Sequence, residues 1–563
     1  MIIWRDAVVE SLGPAWPGVQ EVRARITAGS SEPSSSAAGA SAPAAGASAP
    51  AAETPALAAG AEVRALAYTA LVGTPAVGDR VTLTCSALAR GLGTGGYALV
   101  AALPDALPAD PPAGPGHLVK ARYTPLQPLV LGVDEQESPD HETLREADDL
   151  AGMPVVVADL HSALPAIVAG LRSEAAALGL PVPRVAYVMT DGGALPAWFS
   201  RAAAGLREAG WIAGTVTVGQ AFGGDLEAVT LHTGLLAARL VLGADVAVVT
   251  QGPGNLGTGT RWGFSGVAAG EAVNAAAVLG GRPVASLRVS AADARGRHRG
   301  LSHHSTTAYG RVALAVADIV VPTAAGLADE GAAGHGEADG ERGAGGAAGA
   351  GGAGGAGGAG DHGVRGAYDG ELEREVTLAA GDLCTPIGRH RFVPVALTGL
   401  RAALEDSPVR LSTMGRGLEE DASPFLAAAA AGRWAARLLA PVRGTVWHLA
   451  LADDWALAQR LGAYAMSTRG ARLADVGFVH ASSADQVDGV ANAFYADLAS
   501  EGAVALEIDA DVLAGEGIAC VLEPGDPRDQ TSQRFPHVYG EVPVEAVRRA
   551  LPWRGTLAAT LSG

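Results

Sequence analysis

Lysine is almost absent from this chain. Lys120 is the only one in 563 residues, so arginine supplies nearly all of the 40 basic side chains. Against them stand 59 acidic residues, for a net charge of −19. A protein that neutralises a phosphate backbone needs a basic face, so nucleic acid is not an expected partner. No polybasic cluster offers a hold on an acidic membrane surface either. Cysteine is scarce as well. Cys85, Cys384 and Cys520 lie far apart, which excludes a disulfide framework and a CxxC metal knuckle and fits a reducing cytoplasm. Aromatic residues are only 5%. No apolar run of about 18 residues escapes interruption by charge, proline or glycine. The mean hydropathy of +0.22 therefore reflects alanine, not a membrane span. Arg5, Asp6 and Glu10 break the apolar core that a signal peptide needs. The expectation is a soluble, unexported protein whose partner is a small molecule.

What the chain has in excess is glycine, 77 residues. Part of it lies in low-complexity stretches. Residues 30–61 are Ser/Ala/Pro-rich with a tandem AAGASAP, and 326–366 contain GAGGAAGAGGAGGAGGAG. Neither has large side chains to offset the entropy of ordering, so both are expected to be disordered inserts. Around the first insert, EVRARI, EVRALAY, RVTLTC and GYALVAAL are short alternating runs bounded by Gly/Asp turns. They predict a small antiparallel β domain over 1–130. From about 150 the period changes. MPVVVADL, RVAYVMT, WIAGTVTVG, ADVAVVT and RPVASLRVS alternate with helical stretches, which predicts an α/β domain with a largely parallel sheet over 131–440. TVWHLAL, GFVHASS and VALEID alternate with shorter helices and predict an α+β module over 441–563.

Ligands of open α/β sheets gather beyond the carboxyl ends of the strands. Four loops qualify: 158–165, 189–196, 250–263 and 299–310. The third is rich in small residues that let backbone amides approach an anion. Gly252, Gly254, Gly257, Thr258, Gly259 and Arg261 are its candidate contacts, with Thr260 and Gly263 beside them. It lacks the Gly-Lys-Ser/Thr ending of a P-loop, and tight strand–helix packing explains its glycines equally well. Asp159, His161, Asp191, and His303 with His304, are candidate metal or acid/base groups, although helix capping competes for Asp191 and adjacent histidines point different ways, so at most one of that pair is an expected ligand. Arg416, in TMGRG, is a candidate anion contact.

MTDGGALP, TQGPGNLGTGTRWGFSG, GLSHHSTTA and STMGRGLEEDASPFLAAAAAG together resemble the bacterial family called domain of unknown function 3866, over about 1–26 and 62–440. That resemblance implies no activity. WHLALADDW, GFVHASSADQV, AFY, LEID and FPHVYGEVPVEAV resemble domain of unknown function 952, over about 444–554. This second resemblance implies an ADP-ribosyltransferase-like fold that binds NAD and cleaves its nicotinamide bond. His448, His480 and His537 are then the expected catalytic residues, with Tyr464, Ser482 and Tyr539 as cofactor contacts. Val476 stands where the family usually carries an acidic residue, with Asp475 one position earlier. Two rival readings are a non-catalytic nucleotide or small-acid sensor, and a metal-dependent hydrolase in the central domain.

Overall fold

A computed structural model describes residues 2–28, 57–92, 95–324, 368–386, 388–497 and 502–562. Most of both low-complexity stretches lies outside the described residues. Leu57, near the end of the first stretch, is buried in the core of the N-terminal domain.

The chain is multidomain, with a small, mainly antiparallel β region at its N-terminus and a parallel α/β region in its middle. It divides into two compact units that interleave along the sequence. Unit 1 comprises Met1–Asp148, Ala186–Gly243 and Thr250–Gly266. Unit 2 comprises Asp149–Val185, Ala244–Val249 and Val267–Gly563.

Unit 1 begins with a closed five-stranded barrel of β1 (Trp4–Trp16), β2 (Val19–Ala28), β3 (Glu62–Tyr68), β4 (Arg80–Thr84) and β5 (Ala98–Ala102), in the order β1-β2-β3-β5-β4. Alternation points Ala7, Val9, Val22, Ala24, Val81 and Leu83 inward, as a period of two requires. All pairings are antiparallel except β3 with β5, where Ala65 lies beside Ala98. Unit 1 also holds strand Val185–Thr190 from Ala186 onward, with Gly214–Thr217 and Leu226–Glu227, paired in parallel.

In unit 2 the Val246–Val249 part of the Val246–Gln251 strand, Pro154–Val157, Arg282–Ser286, Asp318–Thr323 and Arg391–Ala396 lie side by side, all parallel. Pro154–Val157 is buried at every position, the mark of a strand covered on both faces. Two helices, Leu164–Ala177 and Ser423–Leu438, run against each other. Their closest approach needs glycine on both sides. A Cβ at Gly170 would stand 2.0 Å from the Ala429 carbonyl oxygen, and one at Gly432 would stand 1.9 Å from that of Ile167.

The C-terminal part of unit 2 has two antiparallel three-stranded sheets. One orders Thr445–Leu451, Ala503–Asp509 and Val547–Pro552; the other orders Val479–His480, Arg534–Tyr539 and Ala519–Pro524. Reciprocal backbone hydrogen bonds between Trp447 and Ser482, 2.8 and 2.7 Å, join them at one bridge. Among the described residues, no helix is long and apolar enough to cross a membrane.

Candidate functional site

The central cleft of unit 2 forms beyond the carboxyl ends of Pro154–Val157 and Arg282–Ser286. It is narrow, a cavity of about 30 Å³ that opens to solvent between Asp159–Ala163, Ser286–Ser290, Asp293, the Thr413–Arg416 turn and the start of the Ser423–Leu438 helix. The turn is closed by reciprocal 2.9 Å backbone bonds between Thr413 and Arg416. Met414 and Gly415 at its centre both have positive φ, 49° and 79°, the geometry of a two-residue primed turn. The Ser162 hydroxyl donates to Thr413 Oγ1 at 3.0 Å, which fixes the turn over the first residues of the Leu164–Ala177 helix.

Acidic and basic groups alternate around this cleft. Asp159 is buried and lies 3.6 Å from Arg288 Nη1. Asp293 takes Arg295 Nη2 at 2.8 Å and faces Arg416 Nη2 at 3.5 Å. Asp421 accepts the Ser290 hydroxyl at 2.5 Å and lies 3.6 Å from Arg416 Nε. Burial alone would raise the Asp159 pKa, but the His304 hydrogen bond and Arg288 outweigh it, so this carboxyl sits below its ordinary value. Arg416 Nε is buried and makes no hydrogen bond.

The expected candidates divide between the units. Asp159 and His304 do meet: His304 Nδ1 lies 2.9 Å from Asp159 Oδ2. His161 stands at the start of the short helix preceding Leu164, and burial pushes its pKa down to about 4. Asp191 belongs to unit 1, where its carboxylate accepts the Gln220 N–H at 2.8 Å. Beside His303, His304 has a neighbour that the sequence does not single out, His298. A hairpin pairs Val289 with Leu301 and Ser290 with Gly300, and its tip returns His298 to His303 and His304. The three imidazole centroids lie 4.5–4.9 Å apart. His298 sits one residue before the RGLSHHSTTAYG loop. The signal that could have found it is the RHRGLSHH spacing itself.

The glycine loop of unit 1 closes on itself. Thr258 N–H donates to the Gly263 carbonyl at 2.7 Å, and Ser265 N–H to that of Leu256 at 2.9 Å. Thr258 and Thr260 share a 3.1 Å hydroxyl bond. Gly252 packs on Ala194, whose carbonyl oxygen a Cβ would meet at 2.3 Å. Gly254 and Gly259 adopt positive φ, while Gly257, Thr258, Gly259 and Arg261 are exposed.

The C-terminal histidines of three separate motifs come together. His480 and His537 are register partners across antiparallel strands, with ring centroids 5.1 Å apart. His448 Nδ1 donates to the His480 carbonyl at 2.6 Å, and Tyr464 donates its hydroxyl to His448 Nε2 at 2.9 Å. Burial pushes His448 down to about 4. His480 Nδ1 lies 2.9 Å from Ser467 Oγ, and this ring is the exposed edge of the group. His537 Nδ1 donates to Glu523 Oε2 at 2.7 Å, as does the Tyr539 hydroxyl. Phe478 stacks on the His537 ring, 4.0 Å between centroids. Ser482 contributes its backbone to the bridge with Trp447.

Glu523 was not legible from the sequence as a site residue. Burial would raise its pKa, but Arg437 and then His537 outweigh this and hold it at about 2. With its Nδ1–H given to this carboxylate, the His537 ring has Nε2 left as an acceptor, the arrangement of an oriented general base. The cysteines take no part: burial raises Cys85 to about 11 and both Cys384 and Cys520 to about 12.

These features define a multidomain α/β protein with a polar cleft at strand ends and a separate histidine group in an α+β module. Residues 64–432 match the family described as "Protein of unknown function (DUF3866)". The chain belongs to that family. Residues 449–550 are similar to a second family, "Protein of unknown function (DUF952)". No curated protein matches the chain. A solved structure of protein CC0527 from Caulobacter crescentus is similar at 23% identity, covering 19% of this chain and 82% of that one, with a TM-score of 0.16. A double mutant of that protein is similar at 22% identity with the same coverage and TM-score.

Proposed function

We propose that the central region binds a small molecule carrying a carboxylate or phosphate group in the cleft beside Arg416 and Arg288. Arg416 Nε carries this reading: it is buried without a hydrogen bond, the Asp421 carboxylate standing off at 3.6 Å, and such a group calls for a closer acceptor. Ser162 and Ala163, which lead into the Leu164–Ala177 helix, lie on the same wall, and the positive end of that helix's dipole favours negative charge. Mass spectrometry of small molecules that co-purify with the full chain identifies the ligand. Titration calorimetry with phosphate and with short dicarboxylates then measures it. Binding weakened at least tenfold by Arg416→Ala supports the reading. Unchanged affinity in that variant, or no binding of any such acid, refutes it.

A second reading concerns the C-terminal module. Its motifs imply an ADP-ribosyltransferase-like fold, and the convergence of His448, His480 and His537 favours a shared site. NAD, or another ADP-ribose-type nucleotide, is its proposed ligand. In the proposed reaction an acceptor nucleophile bonds to the ribose anomeric carbon as nicotinamide leaves with the glycosidic electron pair. His537 Nε2 takes the acceptor proton. Incubating the full chain with NAD tests it by chromatographic detection of nicotinamide. Release that falls about 100-fold or more in His537→Ala is the expected result; no binding and no release would sink the proposal.

A further inference from the structure

We propose that His298, His303 and His304 form a binding site for a divalent transition-metal ion of the zinc class. One ring nitrogen from each lies within 4.8 Å of the others, the one such cluster among the described residues. A tetrahedral zinc site with bonds of about 2.0–2.1 Å puts its nitrogens about 3.3–3.4 Å apart, so the three rings must close in by up to about 1.5 Å on binding. Three imidazoles suit zinc and its first-row neighbours and exclude magnesium and calcium, which prefer oxygen.

The surroundings fit the role. His304 Nδ1 bonds Asp159 at 2.9 Å and His298 Nδ1 bonds Ser302 Oγ at 2.8 Å. With Nδ1 engaged in these two rings, Nε2 is the nitrogen that His298 and His304 have left for an ion. A carboxylate behind a ligating histidine orients the ring and raises its basicity. The local backbone is built for this meeting. Ser302 caps the His303–Thr307 helix, and Gly300, at φ 64°, turns the chain where a side chain would strike Glu375. A π-helical turn, Ala308–Val312, follows, and such turns recur at functional sites.

Three protein ligands leave a fourth position, as in catalytic rather than structural zinc sites. The cleft indicates what takes it. Asp159 and Arg288 line the cleft, and Arg288 Nη1 lies 3.0 Å from His304 Nδ1. Asp159, Asp293 and Asp421 offset Arg288, Arg295 and Arg416, so the protein groups are close to neutral together. A divalent ion adds two positive charges there. The fourth ligand is accordingly water or an anionic group, and an acid in the cleft would lie beside the metal. The metal site does not depend on that acid being bound.

The test uses the full chain, stripped with a chelator and dialysed against Zn²⁺ or Co²⁺. One equivalent of zinc by elemental analysis is expected, with Co²⁺ giving the intense visible bands of four-coordinate geometry. His303→Gln, at the least buried ligand, should remove that equivalent while circular dichroism stays unchanged. Asp159→Asn should weaken affinity about 10–100-fold. Failure of the wild-type chain to hold one equivalent overturns the proposal, as does undiminished binding by folded His303→Gln. Arg416→Ala should retain the metal, so loss of acid binding and loss of metal read out separately.

Discussion

Lys120, the single lysine, is buried. Its ammonium donates to the carbonyls of Ala221 and Ala228 at 3.0 and 2.8 Å and lies 3.5 Å from Glu227. Burial lowers its pKa despite that carboxylate. Amine-reactive reagents should leave it unmodified in the native protein and label it after unfolding, as read by peptide mass spectrometry. Lys120→Met strands the buried Glu227 carboxylate and should cost about 3–5 kcal/mol in denaturant unfolding. His448 gives a pH signature. Its folded pKa of about 4 lies below the ordinary 6.5, so between those values the unfolded chain binds the extra proton. The stability it contributes is full above pH 6.5, falls on acidification and levels off below about 4. In His448→Gln the melting temperature should fall less steeply with acidification across that window. At this scale the sequence disclosed residue types and little about their partners. His448, His480 and His537 stood out by motif. Glu523 did not, because an acid within the strand run VLEP looks like any solvent-facing residue until Arg437 and His537 are seen around it.

Element types were more legible, because hydrophobic period is a local property. The period of two around EVRARI and RVTLTC became barrel strands, and the continuous run PVVV became a strand buried on both faces. Register was not local: nothing in the pattern announced the parallel pairing of β3 with β5. The alanine-rich segment FLAAAAAGRWAARL read as a helix, and its small residues prove to be a packing device. Gly432→Ala would push a methyl into the Ile167 carbonyl. Backbone cannot move aside as a side chain can, so a loss of about 1–3 kcal/mol is expected in the unfolding midpoint. On the same helix Arg433, the next residue, and Arg437, one turn beyond it, reach Glu174 at 3.1 and 3.0 Å, and Arg534 reaches it at 3.2 Å. Glu174→Gln removes the one carboxylate these three buried or half-buried cations share. It should destabilise unit 2 by about 3–5 kcal/mol, measured by calorimetry, while far-ultraviolet dichroism of the folded protein is unchanged.

Across the whole molecule, charge and connectivity act differently. The net charge of −19 is spread over the chain, whereas the cleft balances its own carboxylates with arginine. No shift of a DNA or RNA duplex is therefore expected in gel mobility assays even at about 50 mM salt, where non-specific backbone binding is strong. A retarded band would contradict that reading. Connectivity decides the sites. Asp159 and His304 are 145 residues apart, and Glu174 and Arg534 are 360. Asp191 is far nearer to Asp159 in sequence than His304 is, yet it falls in the other compact unit.

Sequence alone determined the class of the central region, its strand-end loops and the motifs of both families, because each is written in short windows of residue type and period. Only the tertiary structure decided that His298 joins His303 and His304, that Glu523 orients His537, and that the Thr258–Thr260 hydroxyls bond each other. Those outcomes depend on strand order and on the burial of charge against charge. Both are settled by which distant segments exclude water together, and no local window records that.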